Sequence, residues 1–201
     1  IVMIQGKCLY KFVYWKFCLN FCLPLMLHAA IGVIYTQCDR VMLKKIIGES
    51  DTGIYSVVCS LAYIINVLFN SFNTVWTTYY YDYKKVGDSE SIRKKSNNYM
   101  FIFSILVILF LLVAPDIFKF LVPKIYWSGL KLIPCVVVSY YFNFLYSFPA
   151  NYEFYNEKTR IIAFGSFISG VINIYLNLLL IPKYAGFGAA TATLISYMSI
   201  F

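Results

Sequence analysis

The stretch NNYMFIFSILVILFLLVA, residues 97–114, decides the fold class, because Ser104 is the one polar side chain between Tyr99 and the end of the run. Its length is close to the roughly 20 apolar residues that a helix needs to cross a hydrocarbon core of about 30 Å. Lipid offers the backbone no hydrogen-bond partner, so a segment of this kind is expected to be a helix. The nearly uniform apolar surface predicts that this helix faces lipid.

Other apolar runs repeat this pattern, and short basic or Gly- and Pro-bearing loops separate them. The predicted spans are residues 17–38, 54–81, 97–114, 131–149, 161–181 and 187–201. The predicted fold is therefore all-α, a polytopic integral membrane bundle of about six transmembrane helices. Residues 17–201 form this bundle, and residues 1–16 are expected to be a basic amphipathic lead-in or linker. Because the chain starts at Ile1 and stops inside an apolar run, we expect a piece of a longer protein with its last helix truncated.

The composition excludes most soluble enzymes. Of the 201 residues, 61% are hydrophobic and 13% are charged, whereas soluble domains average about a quarter charged residues. The net charge is +8, but the basic residues lie mainly between the apolar runs, so no nucleic-acid partner is predicted. Basic loops beside membrane helices set topology, and the stretch from Lys84 to Lys95 is expected on the cytoplasmic side, where it can also contact anionic lipids.

No catalytic or metal-ligating pattern is found in the sequence. His28 is the single histidine, and the six cysteines lack zinc spacing. The metalloprotease, nucleophile-elbow and P-loop motifs are all missing. The chain is therefore not expected to be an enzyme, and no cofactor is predicted, although coupling to a proton or to sodium stays open.

The second run carries three asparagines, Asn66, Asn70 and Asn73, on one face of the predicted helix. Lipid cannot hydrogen-bond an amide, so this face must meet another helix or water. Two interpretations follow: interhelical hydrogen bonds that hold the bundle together, or the lining of a polar cavity. Three asparagines within so short a stretch favour the cavity.

The fourth and fifth runs carry weaker polar faces. Asn143 lies between serines at spacing four, and Asn173 and Asn177 share a face of the fifth run. The asparagines can serve packing or a cavity. Several helices thus have one polar face, whereas the third run is apolar all round. This combination predicts a bundle with a central hydrated cavity, as a transporter has.

Three ionisable residues stand out at membrane depth: His28, Asp39 and Arg40. A charge at the bilayer centre costs at least about 2.5–3.5 kcal/mol, so such residues are rare and often functional. His28 can be a neutral histidine bonded to a neighbouring helix, or it can couple to protons or contact an anion. Asp39 and Arg40 are predicted to end the first run near the outer interface. Arg40 then either snorkels to headgroups or faces the cavity, where its guanidinium can hold two phosphate oxygens.

Two blocks of the sequence resemble a known family. The first contains LPL at 23–25, His28, DRVML at 39–43, Gly48 and GIYS at 53–56; the second contains Asn173, LN at 176–177, IP at 181–182, GFGAATAT at 186–193 and SY at 196–197. In this order they are similar to the second half of bacterial polysaccharide flippases. That family belongs to the multidrug/oligosaccharidyl-lipid/polysaccharide exporter superfamily and exports lipid-linked O-antigen (lipopolysaccharide) or capsule repeat units.

The resemblance implies two six-helix lobes around a central cavity, of which this chain is the C-terminal one. It implies a multi-pass protein of the bacterial cytoplasmic (inner) membrane that flips polyprenyl-pyrophosphate-linked oligosaccharides by alternating access. The implied partners are the lipid-linked oligosaccharide, membrane lipids, the missing N-terminal lobe and other polysaccharide assembly proteins. The residues expected to meet substrate are Arg40, Asp39, His28, Asn66, Asn70, Asn73, Asn143, Asn173 and Asn177. The alternatives are a multidrug exporter of the same superfamily and a membrane-embedded polysaccharide polymerase or glycosyltransferase.

Overall fold

The computed structural model describes residues 12–200, and these form an all-helical bundle that confirms the predicted fold class. The helices are α1 (Phe12–Ile46), α2 (Glu49–Val86), α3 (Ser89–Leu121), α4 (Ile133–Tyr155) and α5 (Thr159–Ile200), with a 3₁₀ helix (Lys124–Leu132) before α4. Residues 12–200 thus contain five helices that are long and apolar enough to cross a membrane. Residues 1–11, most of the predicted lead-in, lie outside the described residues.

The last helix, α5, contains two of the predicted spans. Ala185 has φ 49° and ψ −130°, which breaks the helix into a first arm (159–184) and a second arm (186–200). Contacts join residues on opposite sides of the break: Asn173 with Thr193, Ser169 with Ser196, and Gly165 with Ile200. Because the residue number in the first arm falls as that of its partner in the second arm rises, the two arms run antiparallel.

Gly188 holds the two arms of α5 together at their turn. A Cβ atom at this position would lie 2.4 Å from the carbonyl oxygen of Leu180 and 2.5 Å from its carbonyl carbon. Only a residue without a side chain allows the backbones to approach this closely.

The helices run past the predicted ends of the apolar runs. The first run was expected to end at Asp39 and Arg40, and this boundary is wrong, because α1 continues to Ile46. The physical reason is that Asp39 is satisfied inside the bundle and has no need to reach the interface.

The basic stretch from Lys84 to Lys95 is also mostly helix, with the turn limited to Gly87 and Asp88. Gly87 ends α2 in the left-handed conformation (φ 79°). Asp88 caps α3 by accepting a hydrogen bond from the Ser91 amide at 3.0 Å. Hydrogen bonds from Ser91 hold the pKa of the Asp88 carboxyl below its usual value.

Helix α4 lies at the centre of the bundle and packs against α2, α3 and α5, while α1 packs mainly against α5. Aromatic rings fill the core between α3 and α4, where Phe103 stacks on Phe144 with ring centroids 4.0 Å apart. The opposite face of α3 is exposed and apolar, with Leu112 at 69% exposure. This is the surface expected of a helix beside lipid, and it leaves the polar groups to the other helices.

Candidate functional site

Polar side chains of α1 pair with polar side chains on the first arm of α5. The pairs, here called the polar ladder, are His28–Ser166 (2.6 Å between Nδ1 and Oγ), Tyr35–Ser169, and Asp39–Asn177 (2.6 Å between Oδ1 and Nδ2). The sequence separations of 138, 134 and 138 residues are nearly constant, so the two helices run parallel. Gly170 allows the close approach, because a Cβ there would lie 3.0 Å from Cγ2 of Ile31. Each side chain of the polar ladder thus has on the neighbouring helix a hydrogen-bond partner that lipid could not supply.

Asp39 joins α1 to three other segments, and its side chain is 1% exposed. The Tyr55 hydroxyl of α2 donates to Oδ2 at 2.8 Å, and the Thr193 hydroxyl of the second arm donates to the same oxygen at 2.6 Å. Asn177, which donates to Oδ1, also donates to Oδ1 of Asn173 at 3.1 Å. We call these five residues the Asp39 cluster. The predicted site residues Asp39, Asn173 and Asn177 therefore do lie together.

Two groups of the Asp39 cluster lack an expected partner: the carboxylate forms no ion pair, and one amide oxygen accepts no hydrogen bond. Within residues 12–200, the ion pair with nitrogen and oxygen inside 4.0 Å is Lys44–Glu49, so Asp39 has no cationic side chain at that distance. Oδ1 of Asn177 is buried and accepts no hydrogen bond from the described residues. The guanidinium of Arg40 lines the same cavity and acts on this carboxylate from beyond that distance.

A cavity of about 400 Å³ lies beside the Asp39 cluster, and α1, α2, α4 and the second arm of α5 supply its walls. Five tyrosines line it: Tyr35, Tyr55, Tyr63, Tyr140 and Tyr197. We call it the tyrosine cavity. Hydroxyls of Ser60, Ser139 and Thr193 add polar groups between the rings. The lining therefore combines flat aromatic faces with many hydrogen-bonding groups.

Arg40 faces the tyrosine cavity. Its side chain is half-buried, and its Nε is buried with no hydrogen-bond partner among the described residues. Of the two interpretations given above, this placement favours the arginine that faces a cavity over the one that snorkels to headgroups. A guanidinium with an unpartnered N–H at a cavity wall can bind an anionic oxygen.

A second cavity of about 140 Å³ lies next to the tyrosine cavity, and His28 and Asn143 are among the residues that line it. Tyr35 and Tyr197 line both cavities, and their rings stack with centroids 4.7 Å apart. His28 is bonded to Ser166, which is the contact expected of a histidine that pairs with a neighbouring helix. The two cavities form one polar strip that extends from Arg40 to His28.

The asparagines of α2, here called the α2 stripe, lie apart from this strip. Asn73 accepts a hydrogen bond from Nδ2 of Asn151 on α4 at 3.0 Å, so it has an interhelical partner. Asn70 is exposed and Asn66 is half-buried. Neither side chain forms a hydrogen bond within the described residues, and neither lines the two cavities. The structure therefore separates the α2 stripe from Asp39 and Arg40.

Several residues of the site were not singled out by periodicity. The tyrosines of the cavity come from four helical segments, with Tyr55 and Tyr63 both on α2, and no single spacing in the sequence connects all five. Thr193 binds Asp39 across 154 residues, which no local pattern can reveal. The available signal was the resemblance, because Tyr55, Thr193 and Tyr197 all lie in the two quoted blocks.

Comparison with known proteins agrees with the first of these two blocks. The family model described as "Polysaccharide biosynthesis protein" matches residues 5–77, which include Asp39, Arg40 and Tyr55. The chain is also 24% identical to "Lsg locus putative protein 1" of Haemophilus influenzae over 82% of its own length and 43% of that protein. Over residues 5–77, the chain is therefore similar to the family of polysaccharide biosynthesis proteins. The resemblance drawn from the sequence is thus confirmed at this level.

A further relative gives the same extent of match. An "Uncharacterized membrane protein" of H. influenzae is 26% identical over 76% of this chain and 40% of that protein. The chain therefore spans about two fifths of the length of the curated relatives it matches. No solved structure matches the chain. The five long apolar helices of residues 12–200, together with this similarity, indicate a multi-pass membrane protein.

Proposed function

We propose that the chain forms one lobe of a flippase, which carries polyprenyl-pyrophosphate-linked oligosaccharides across the bacterial cytoplasmic membrane by alternating access. The single observation that supports this most is the polar strip from Arg40 to His28. It is a concave, hydroxyl-rich surface in a chain whose α3 face is apolar and exposed. A membrane protein with no cargo to hydrate has little use for such a surface, because polar groups at membrane depth are costly.

The chemistry of the strip suits the two polar parts of such a substrate. The guanidinium of Arg40 can bind two phosphate oxygens at once, which favours pyrophosphate over a neutral cargo. Tyrosine rings present a flat apolar face together with a hydroxyl, and sugars present both apolar ring faces and hydroxyls. The polyprenyl tail would stay in the bilayer while these groups pass.

The exposed part of the α2 stripe requires a neighbour from outside the described residues. Asn70 has no partner within the described residues, and lipid cannot satisfy its amide. We place a hydrated path or a second lobe against this face, with the missing N-terminal lobe as the expected neighbour. O-antigen and capsule repeat units are the cargo classes proposed, and other polysaccharide assembly proteins would supply or receive them.

A multidrug exporter of the same superfamily is the second candidate. The aromatic cavity and the buried Asp39 carboxylate favour it, because a lipophilic cation would seek both. Against it, both oxygens of Asp39 already accept hydrogen bonds, and Arg40 would repel a cationic drug. A polymerase or glycosyltransferase would need a large extramembrane loop. The short turns between the described helices offer none.

The test is flipping of a fluorescent polyprenyl-pyrophosphate oligosaccharide in vesicles that contain the intact protein. Arg40→Ala should lower the rate strongly. Arg40→Lys should recover only part of it, because an ammonium cannot make the paired contact. Arg93→Ala, at an exposed arginine at the start of α3, is the matched control and should retain the rate. Equal rates for Arg40→Ala and Arg93→Ala would contradict the proposal, and faster export of cationic dyes by Arg40→Ala would favour the multidrug exporter.

A further inference from the structure

An open groove of about 400 Å³ lies between α2 and α3 on the outside of the bundle, and we call it the α2–α3 groove. It is lined by Ser71, Phe72, Val75, Tyr99 and Ile102. Val75 and Ile102 are each about half exposed. The Ser71 hydroxyl already donates to a backbone carbonyl of its own helix. The lining therefore suits a hydrocarbon chain and not a polar solute.

A lysine lies beside the groove, where α2 and α3 approach the turn that joins them. Nζ of Lys95 is 4.4 Å from the ring centroid of Tyr79 and 4.7 Å from that of Tyr83. The two rings hold the ammonium in place by cation–π attraction. Within residues 12–200, no carboxylate oxygen lies within 4.0 Å of this ammonium. Its charge is therefore available to an anion from outside these residues.

The groove and Lys95 belong to one continuous surface. On α2 the surface follows a ridge of residues at spacing four: Ser71, Val75, Tyr79 and Tyr83. The rings of Phe72 and Tyr99 have centroids 5.9 Å apart, and Lys95 contacts Tyr79 nearer the turn. Since the residue number falls on α3 as it rises on α2, the two helices run antiparallel along this ridge.

The length of this surface matches one leaflet of a bilayer. From Ser71 to Tyr83 a helix rises about 18 Å, and half of a hydrocarbon core is about 15 Å. A chain whose polar end is held at Lys95 would thus run along the groove toward the bilayer centre. A phospholipid has this form, because its hydrocarbon chain ends in a phosphate group.

The charge around Lys95 selects an anionic lipid. Arg93 and Lys94 are exposed beside it, and Lys84 and Lys85 lie on the other side of the turn between α2 and α3. A basic cluster of this kind attracts anionic headgroups, whereas it repels the ammonium group of a zwitterionic headgroup. A second copy of this chain docked on the same patch by two-fold symmetry would bring like charges together, so the lipid is the favoured occupant.

The groove also lies on a different side of α2 from the α2 stripe. Because 3.6 residues complete one turn, Val75 and Tyr79 are turned about 140° and 180° from Asn70. The face that the proposed function places toward cargo or a second lobe is thus separate from this surface. The inference does not rest on the proposed function.

We propose that the α2–α3 groove binds one anionic phospholipid. Its acyl chain lies along the apolar lining, and its phosphate accepts a hydrogen bond from the Lys95 ammonium. Tyr79 and Tyr83 are positioning residues, because their rings hold that ammonium at the end of the groove. The bound lipid contacts both helices and so fastens α2 to α3.

The experiment measures binding of phosphatidylglycerol to the purified intact protein by native mass spectrometry in detergent, with phosphatidylcholine as the reference lipid. We expect one phosphatidylglycerol to bind more tightly than phosphatidylcholine. Lys95→Ala should weaken its affinity by about 10-fold or more, which is the contribution of a hydrogen bond to a charged group. Lys94→Ala is the matched control, since it removes an exposed charge next in the chain, and it should retain most of the affinity.

Ile102→Trp tests the part of the site that holds the acyl chain. The indole would fill the groove and should lower the affinity for phosphatidylglycerol. Ile108→Trp makes the same change at an exposed isoleucine of α3 that does not line the groove, and it should leave the affinity unchanged. Phosphatidylglycerol with a photoactivatable diazirine on its acyl chain should cross-link to residues 71–75 or 99–102 of the unmodified protein.

Several results would overturn the site. Equal losses for Lys94→Ala and Lys95→Ala would show a diffuse attraction to the whole basic stretch. Equal affinity for phosphatidylcholine, or cross-links confined to other helices, would show that the groove selects no anionic lipid. Tighter binding of a polyprenyl phosphate than of phosphatidylglycerol would assign the groove to the tail of the proposed cargo. Thermal unfolding checks that each variant is folded, and none of these measurements depends on flipping, so the site and the proposed transport can fail separately.

Discussion

Two faces of this bundle carry asparagines at the same helical spacing, yet their surroundings differ. Asn173 and Asn177 on α5 are fully buried and belong to the hydrogen-bond network around Asp39. On α2, Asn70 is exposed and Asn66 has no hydrogen-bond partner within the described residues. The difference shows that periodicity locates a polar face, while the neighbouring helix decides whether that face holds the bundle together or remains open to another occupant.

Gly188→Ala is expected to have the largest effect, because it disturbs the packing of the two arms of α5 that buries Asn173 and Asn177. Its Cβ would meet the backbone of Leu180 at 2.4 Å, so the two arms of α5 must move apart. Thr193 would then be displaced from Asp39. We expect the free energy of unfolding to fall by about 3 kcal/mol or more, which is at the upper end of overpacking effects. Thermal unfolding of the purified protein measures this change.

Gly165→Ala is the control for this substitution. The added Cβ there would lie 3.9 Å from Cγ1 of Ile200, which is an ordinary contact. Equal unfolding midpoints for the two variants would show that the arms of α5 do not pack as described.

Asn177→Leu and Asn70→Leu compare the two faces directly with the same change. Asn177→Leu leaves Oδ1 of Asp39 without its donor, and losing a hydrogen bond to a charged group costs about 1.5–3 kcal/mol. Asn70→Leu should change the free energy of unfolding by no more than about 0.5 kcal/mol, as is usual for an exposed site. If Asn70→Leu destabilised as much as Asn177→Leu, the α2 face would also be a packing surface within this chain.

The sequence predicted the helices well, because membrane depth imposes a simple rule on the backbone. The all-α bundle and the exposed apolar face of α3 follow from hydropathy alone. The end of the first run was placed too early, because Asp39 was treated as a charge that must reach the interface, whereas Tyr55, Asn177 and Thr193 satisfy it in the interior.

The site was predictable only in part. Asp39, Arg40, Asn173 and Asn177 could be selected because polar groups at membrane depth are rare. The tyrosine cavity could not, because tyrosines are also common at membrane interfaces and their convergence depends on how four helical segments cross. Asn66 and Asn70 have the same spacing as the α5 pair, but nothing in the α2 sequence tells which neighbour its face meets.

Ser166→Ala sharpens the comparison at the far end of the polar ladder. The change removes the partner of His28, and interhelical hydrogen bonds in membranes contribute about 0.6–1 kcal/mol. Ser71→Ala is the matched control, since Ser71 is exposed and donates within its own helix to the Val67 carbonyl. We expect a measurable decrease in the unfolding free energy for Ser166→Ala and no significant change for Ser71→Ala.

The smallest effect on stability is expected for the double variant Asn66→Leu/Asn70→Leu, and this variant decides what the α2 face does. Neither amide has a hydrogen-bond partner within residues 12–200, so each change should alter the unfolding free energy by less than about 0.5 kcal/mol. If the face lines the path of the oligosaccharide, flipping in vesicles should nevertheless stop, because leucine offers sugar hydroxyls no hydrogen bond. Asn73→Leu gives the opposite pattern, since it breaks the contact with Asn151 and should cost about 0.6–1 kcal/mol of stability. A double variant that folds and flips normally would restrict the proposed transport surface to the strip between Arg40 and His28.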